Sequence, residues 1–304
     1  MRVNNIPQAF PYQGSKRKLA SVILACIPKN TRRLVEPFAG SAAISVAAAW
    51  NERVDSFWLN DAHSPLMALW NAILNAPLAL ADDYEKIWTA QQGREKEYYN
   101  AVRDRFNRDS QPADFLFLLA RCVKAAIRYN RSGEFNNSPD HRRLGMKPET
   151  MRKNILMVHE VLRDQTMLTT GDFRAVLRKT RKTDFVYMDP PYQGVCKNRD
   201  NRYAKSVVFE EFVKELNALN ERQIPFIVSY DGRTGNTIYG EKLPESLDLF
   251  HSEIFVGRST QATLLGRSHD TYESLYLSPL AVRRLGDIPR VLRENESTVQ
   301  LLFD

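Results

Sequence analysis

The chain has 304 residues, 43% of them hydrophobic, and a formal net charge of +7 at pH 7, which is room for one large domain or a domain with an insertion. It contains no apolar run of 18 residues, so no transmembrane helix is expected, and the first residues, MRVNNIPQAFPYQG, lack the layout of a secretory signal. Three scattered cysteines, Cys26, Cys122 and Cys196, argue against a zinc or disulfide framework and for a reduced, cytoplasmic setting, while the basic balance points to a polyanionic partner, most simply nucleic acid.

In chain order, FPYQGSKRKL comes first. A Gly-Ser turn with lysines before the helical run LASVILACI can hold an anion, although an ordinary basic helix start has the same composition. Leu34-Val35-Glu36 then reads as a short strand, followed by Phe38-Ala39-Gly40-Ser41 and an alanine-rich helix. Strand, small-residue loop and helix let a backbone approach a nucleotide-like ligand. With no GxGxxG and no phosphate-loop lysine, the ligand need not carry a triphosphate. A second strand, Val54 to Leu59, ends at Asn60-Asp61. An acid there is placed to accept ribose hydroxyls, or to cap the helix that follows.

Residues 76–165 read as helical and charged. PADFLFLLARCVKAAIRYN is expected to be one amphipathic helix ending near Tyr129-Asn130. The stretch from Arg121 to Lys153 holds nine basic residues (121, 124, 128, 131, 142, 143, 147, 152, 153) against three acidic ones (134, 140, 149). Asn, Ser, Gly and aromatics are mixed among them, a blend suited to phosphates and base edges. A new helix is under way by Met151. TMLTT reads as a strand ending at Gly171-Asp172-Phe173, and Phe185-Val186-Tyr187-Met188 as a buried strand ending in Asp189-Pro190-Pro191-Tyr192. Two prolines stop the ladder and stiffen that loop, leaving a carboxylate and an aromatic ring at the sheet edge. IPFIVSYDGR is a further strand, with Ser229 and Asp231 placed at its tip, and LDLFHSEIFVGRSTQATLLGRSHDTYESLYLS reads as strand, polar basic loop, strand, with Tyr272 to Tyr276 alternating as a half-buried strand does.

Taken alone, DPPY is a strand that ends in a proline turn. Its neighbours change that. FPYQGSKRKL, LVEPFAGS, Asn60-Asp61, RYNRSGEFN, Gly171-Asp172-Phe173, DPPY and VSYDGR, in this order over residues 8 to 277, resemble the Dam-like DNA adenine methyltransferases. The resemblance implies an α/β, Rossmann-like fold of seven strands with a reversed hairpin and a mostly helical target-recognition insertion. It implies S-adenosylmethionine as cofactor and S-adenosylhomocysteine as product, with no metal. Tyr12 and Lys16 match the N-terminal motif. Glu36, Phe38, Ala39, Gly40 and Ser41 match the cofactor loop, Asp61 the ribose acceptor, and Asp172 with Phe173 the pair that holds the cofactor's adenine. Asp189, Pro190, Pro191 and Tyr192 match the catalytic loop, with Asp189 also bordering the cofactor. Where the family loop often has a second glycine, this chain has Ala42, which is unstrained only at negative φ.

The chemistry suits these residue types. The amine of adenine is a poor nucleophile, because its lone pair is delocalised into the ring. Acceptors on its hydrogens, here the Asp189 carboxylate and Pro190 carbonyl, stabilise the charge that develops on methyl transfer. Tyr192 can stack on the base, which must leave the helix to arrive. Arg128, Asn130, Arg131, Asn136, Asn137, Arg142, Arg143 and Lys147 are the candidate contacts to double-stranded DNA, with 197–205 and 258–269 as further recognition segments. The expected division is a catalytic domain of residues 1–80 and 165–281, an insertion of 81–164, and a tail of 282–304 packed on the catalytic domain. The expected setting is a bacterial or phage protein, monomeric or weakly dimeric, either orphan or in a restriction-modification system with a cognate endonuclease. Competing readings are a non-catalytic DNA-binding subunit on the same fold, and amine methylation of cytosine or RNA. RYNRSGEFN resembles the recognition hairpin of GATC-methylating members, whereas NSPDHRRLGMKPETM departs from it.

Overall fold

The computed structural model describes residues 6–191, 207–235, 237–258, 270–289 and 292. Its eight strands are β1 (Arg33–Glu36), β2 (Ser56–Asp61), β3 (Thr166–Thr170), β4 (Asp184–Met188), β5 (Phe226–Thr234), β6 (Thr237–Tyr239), β7 (Phe250–Arg258) and β8 (Asp270–Leu277). The helices that position the site are α1 (Ala20–Ala25), α2 (Ala43–Trp50), α3 (Ser64–Asn75), α4 (Pro77–Ala90), α5 (Glu95–Asp109), α6 (Pro112–Arg121), α7 (Pro148–Leu162), α8 (Phe173–Lys179), α9 (Phe209–Glu221) and α10 (Pro279–Leu285).

The strand order is β3-β2-β1-β4-β5-β8-β7, with the short β6 paired to β5 off this path. The first five strands are parallel, and β8 and β7 run antiparallel. This is the expected seven-strand path with its reversed hairpin. The order turns back between β1 and β4, and such a switch point opens a crevice at the carboxyl ends of the strands.

The period-2 pleat explains why β4 is apolar throughout. Phe185 and Tyr187 enter the core layer shared with α1 to α7. Val186 and Met188 enter the opposite layer, with Val176 and Leu177 of α8 and Phe212, Leu216 and Leu219 of α9. Leu34 and Val35 of β1 divide in the same way. The two ends of β4 carry different carboxylates. Asp184, at the start, is held by the Arg33 guanidinium at 3.0 and 2.7 Å, which fixes strand ends away from the crevice. Asp189 follows the other end.

Helices α4 to α7 share the layer of Leu34 and Phe57 rather than forming a core of their own. Phe106 stacks on Phe115 at 5.1 Å, and Phe135 meets both edge-on. Tyr84 Oη donates to the Met146 carbonyl at 2.6 Å and Tyr99 Oη to the Asn137 carbonyl at 3.0 Å. The irregular chain from 122 to 147 is thereby fastened to the helices.

Two elements differ from expectation. Helix α6 stops at Arg121 rather than near Tyr129, because Cys122 turns extended and bridges Pro139. The segment beyond it is an irregular hairpin, closed by a second bridge between Tyr129 and Phe135. Strand β5 runs on to Thr234, with a register shift between Ser229 and Gly232. Ser229 and Asp231 therefore sit within a strand, and Ser229 is fully buried. They do not belong to the set of strand-tip groups.

Candidate active site

A cleft of about 360 Å³ opens at the switch point. Its walls include Tyr12, Lys16, Glu36, Phe38, Gly40, Asp61, Phe173, Asp189 and Pro190. The expected cofactor and catalytic residues that are described thus converge on one space, although they come from segments far apart in sequence. Ala39, Ser41, Asp172 and Pro191 also line it. Tyr192 lies outside the described residues, as do 197–205 and 259–269.

The small-residue loop is held from several sides. The Asp61 carboxylate accepts the Gly40 amide at 3.0 Å and the His63 amide at 2.9 Å. Trp70 Nε1–H donates to the Gly40 carbonyl at 2.9 Å. Ser41 Oγ bonds Ser15 Oγ at 3.0 Å, joining the loop to the N-terminal motif. A Cβ on Gly40 would meet the Tyr12 ring at 3.2 Å at a φ of +49°, so glycine is favoured there. A carboxylate offers about four acceptor positions, so Asp61 retains capacity for a ligand hydroxyl. It does not cap α3. His63 does, its Nδ1 accepting the Leu66 amide at 3.1 Å.

Ala42 corrects the expected backbone. Its φ is +45° and its ψ 36°, the left-handed region, and it is fully buried. An L-residue there costs about 1–2 kcal/mol. Glycine would relieve that, but would lose about 0.8 kcal/mol of methyl burial and about 0.5–1 kcal/mol of chain entropy. Ala42→Gly is therefore expected within about 1 kcal/mol of wild type by urea unfolding. Ala42→Val, branched at a positive φ in a packed core, is expected to cost about 2–3 kcal/mol. Equal midpoints for the valine and alanine proteins would refute the strain.

With alanine at its N-cap, α2 has no side-chain cap of its own. Glu36 supplies the acceptor from β1, its Oε1 taking the Ser45 amide at 2.7 Å. Burial pushes the Glu36 carboxyl up to about 8, against the pull of that bond.

At one end of the cleft, Phe38 packs on Phe173 at 5.0 Å and on Phe212 at 6.3 Å. These rings form an apolar wall fit for a flat heterocycle. Asp172 caps α8 through the Arg174 amide at 2.8 Å and forms a two-pronged pair with the Arg174 guanidinium at 2.9 and 2.7 Å. Its carboxylate is directed to Arg174, which the sequence does not reveal.

At the other end, Lys16 Nζ lies 2.9 Å from each oxygen of Asp189 and 4.0 Å from Glu273 Oε2. Burial opposes the ammonium charge, but Asp189 and Glu273 outweigh it and raise the Lys16 pKa above its ordinary value. Burial likewise raises the Asp189 carboxyl, to about 6, with Lys16 pulling down and Glu273 pushing up. Near neutrality Asp189 is an ionised acceptor poised close to its titration.

The basic hairpin sorts its candidates. Arg128, Arg131, Asn136, Arg142 and Lys147 are exposed. Arg143 is exposed but paired with Asp140 at 2.8 Å. The Asn130 side chain accepts the Ser132 and Glu134 amides, both at 2.9 Å, and so builds the turn. Asn137 is 5% exposed, and its amide braces the Ala126 carbonyl at 2.8 Å. Asn137 is thus a fastener of the loop and leaves the DNA-facing set. Two contacts that the sequence does not reveal stand beside these. Lys124 and Ala125 both hold positive φ, 59° and 51°, and the Gln13 amide donates to the Ala125 carbonyl at 3.1 Å. His63 Nε2 meets Tyr129 Oη at 2.5 Å, tying α3 to the hairpin. Because Nδ1 accepts, Nε2 carries the proton and donates. Burial lowers the His63 pKa to about 4, keeping the ring neutral.

A parallel sheet that reverses at β1 and β4, ends in an antiparallel pair and presents a carboxylate cleft at the switch point is a Rossmann-like methyltransferase fold. The chain belongs to the D12 class N6 adenine-specific DNA methyltransferase family, whose pattern matches residues 12–257. Members of this family use S-adenosylmethionine. The chain is 28% identical to a DNA N-6-adenine-methyltransferase of Escherichia phage P1, over 60% of this chain and 24% of that protein. It is 26% identical to the type II methyltransferase M.MjaIII of Methanocaldococcus jannaschii, over 61% of this chain and 69% of the relative. It is 30% identical to the retron Ec67 DNA adenine methylase of Escherichia coli, over 60% and 62% of the two chains. The matches thus span from about a quarter to about two thirds of these relatives.

Proposed function

We propose that this chain transfers a methyl group from S-adenosylmethionine to the N6 amine of an adenine flipped out of double-stranded DNA. The observation that carries the reading is the convergence of Asp189 and Pro190 with Phe38, Gly40 and Asp61 in one cleft. The residues fit the cofactor: a glycine loop that admits close approach, an acid for ribose hydroxyls, an aromatic wall for adenine, and the Asp189 carboxylate for a cationic group. When bound, S-adenosylmethionine supplies an activated methyl on a sulfonium. Phe38 and Phe173 would hold its adenine, Asp61 its ribose, and Glu36 and Asp189 would border its methionine end.

Asp189 and the Pro190 carbonyl then act on the amine. As preorganised acceptors they draw its hydrogens out of the ring plane and offset the positive charge that develops. Tyr192 is assigned to stack on the base. The proton leaves afterwards, to Asp189 or to water, so Asp189 need not be a strong base. The half-exposed Pro191 completes the stiff turn that aims both acceptors.

Residues 81–164 are assigned as the recognition insertion, with Arg128, Arg131, Asn136, Arg142 and Lys147 on the DNA-facing side. Arg131→Ala and Arg142→Ala are each expected to weaken DNA binding and to reduce the salt slope by about one. Titrations at several salt concentrations check this, and an unchanged slope removes the residue from the interface. The function itself is tested by expressing the protein in a methylation-free host and mapping modified adenines. One sequence context carrying N6-methyladenine is expected. Cofactor binding without any modified base would leave only a DNA-binding subunit.

A further inference from the structure

Lys16 holds both oxygens of Asp189 at 2.9 Å. An amine hydrogen arriving at Asp189 must therefore share the carboxylate with this ammonium. A second carboxylate stands beside the same ammonium: Glu273, on β8, at 4.0 Å. Strand β8 pairs with β5, and β5 with β4, so Glu273 reaches the cluster from two strands away. Glu273 and Lys16 are both largely shielded, at 22% and 8% exposure, where a charge without a counter-charge is costly.

We infer that Glu273 is a positioning residue for methyl transfer: it takes up Lys16 as the target amine arrives, freeing Asp189 to accept from that amine. The inference rests on the proposed adenine methylation. Lys16 then acts as a shared cation. On Asp189 it balances that carboxylate, and on Glu273 it stays paired while Asp189 turns to the base. No bond to carbon is made or broken in this exchange; one ammonium changes partner.

The charged and titratable groups around Asp189 are few among the described residues. Lys16 comes from the N-terminal turn, Glu36 from β1, Tyr187 from β4 and Glu273 from β8. Arg233, on β5, is occupied by Glu253 at 3.0 Å and by the Tyr272 ring at 3.8 Å. Glu273 is therefore the acid that competes with Asp189 for Lys16. It has two opposed effects. It releases Asp189 from the lysine, and its negative charge raises the pH at which Asp189 ionises.

Glu273→Gln separates these effects. Lys16 then rests on Asp189 alone, so the plateau kcat is expected to fall by about tenfold. The acid limb of kcat is expected to move to lower pH by about one unit, since a neighbouring like charge has gone. S-adenosylmethionine affinity is expected to stay within about threefold of wild type. Glu273→Asp, which keeps the charge, should hold the limb near its wild-type position even if the plateau drops. A residue that merely supports the fold would leave the limb in place in both variants. A Glu273→Gln enzyme with the wild-type plateau and limb overturns the inference. If wild type itself methylates no adenine, the underlying proposal fails instead, and the two failures are told apart by the wild-type control.

Discussion

Asp189→Ala is expected to lower methyl transfer by at least about 10²–10³-fold, the cost of removing one preorganised acceptor or donor from an active site. S-adenosylmethionine binding should survive with modest loss. The reason lies in the division of the cleft. The aromatic wall of Phe38 and Phe173 and the loop fixed by Asp61 and Trp70 stand apart from the Lys16–Asp189 pair. The alanine change also removes the nearer partner of a buried lysine, which can cost about 3–5 kcal/mol. Asp189→Asn is therefore the companion variant. It keeps the shape and one carbonyl oxygen for Lys16 but loses the charge, so it should disturb the fold less than alanine and still transfer methyl slowly. Single-turnover rates with both variants, beside calorimetric cofactor binding, check this. Turnover near wild type in Asp189→Asn would remove the carboxylate from the chemistry.

Lys16→Met is expected to turn the enzyme into one that needs alkaline pH. Burial raises the Asp189 pKa, Lys16 lowers it and Glu273 raises it, and the balance stands at about 6. Removing the lysine leaves only the two raising effects. The ionised fraction of Asp189 at pH 7 then falls, and transfer falls with it by about tenfold, recovering toward pH 9. The sign is firm: a carboxylate that loses its cation becomes a weaker acid, so the acid limb must move up. Methionine keeps the apolar stem that Lys16 packs with and makes the change mainly electrostatic. The same profile measured with Glu273→Gln should move the opposite way. A Lys16→Met profile unchanged in position would mean that Asp189 titration does not gate the reaction.

Much of this fold was legible from alternation and order. Phe185 to Met188 reads as a doubly buried strand because an apolar residue must face each helix layer, and it is one. The cleft residues Phe38, Gly40, Asp61 and Asp189 were legible as strand-end groups in a βα series. What was illegible depends on contacts between distant segments. Glu273 shows only as a polar position in an alternating strand, and nothing local ties it to Lys16. The left-handed backbone of Ala42 is set by the loop closing between Asp61, Trp70 and Tyr12, against the preference of alanine itself. Asn137 has the composition of a base-reading residue, yet its burial follows from α6 ending early and the chain folding back over Cys122. Ser229 and Asp231 were misplaced for a simpler reason: a bulge lets β5 continue past the point where polar residues suggest a tip.

The most direct measurement uses purified protein, unmethylated duplex DNA and methyl-labelled S-adenosylmethionine, followed by digestion of the DNA to nucleosides. Label in N6-methyladenine is expected, appearing far more slowly with Asp189→Asn. Label in methylated cytosine, label only when RNA replaces DNA, or no transfer despite cofactor binding would contradict it.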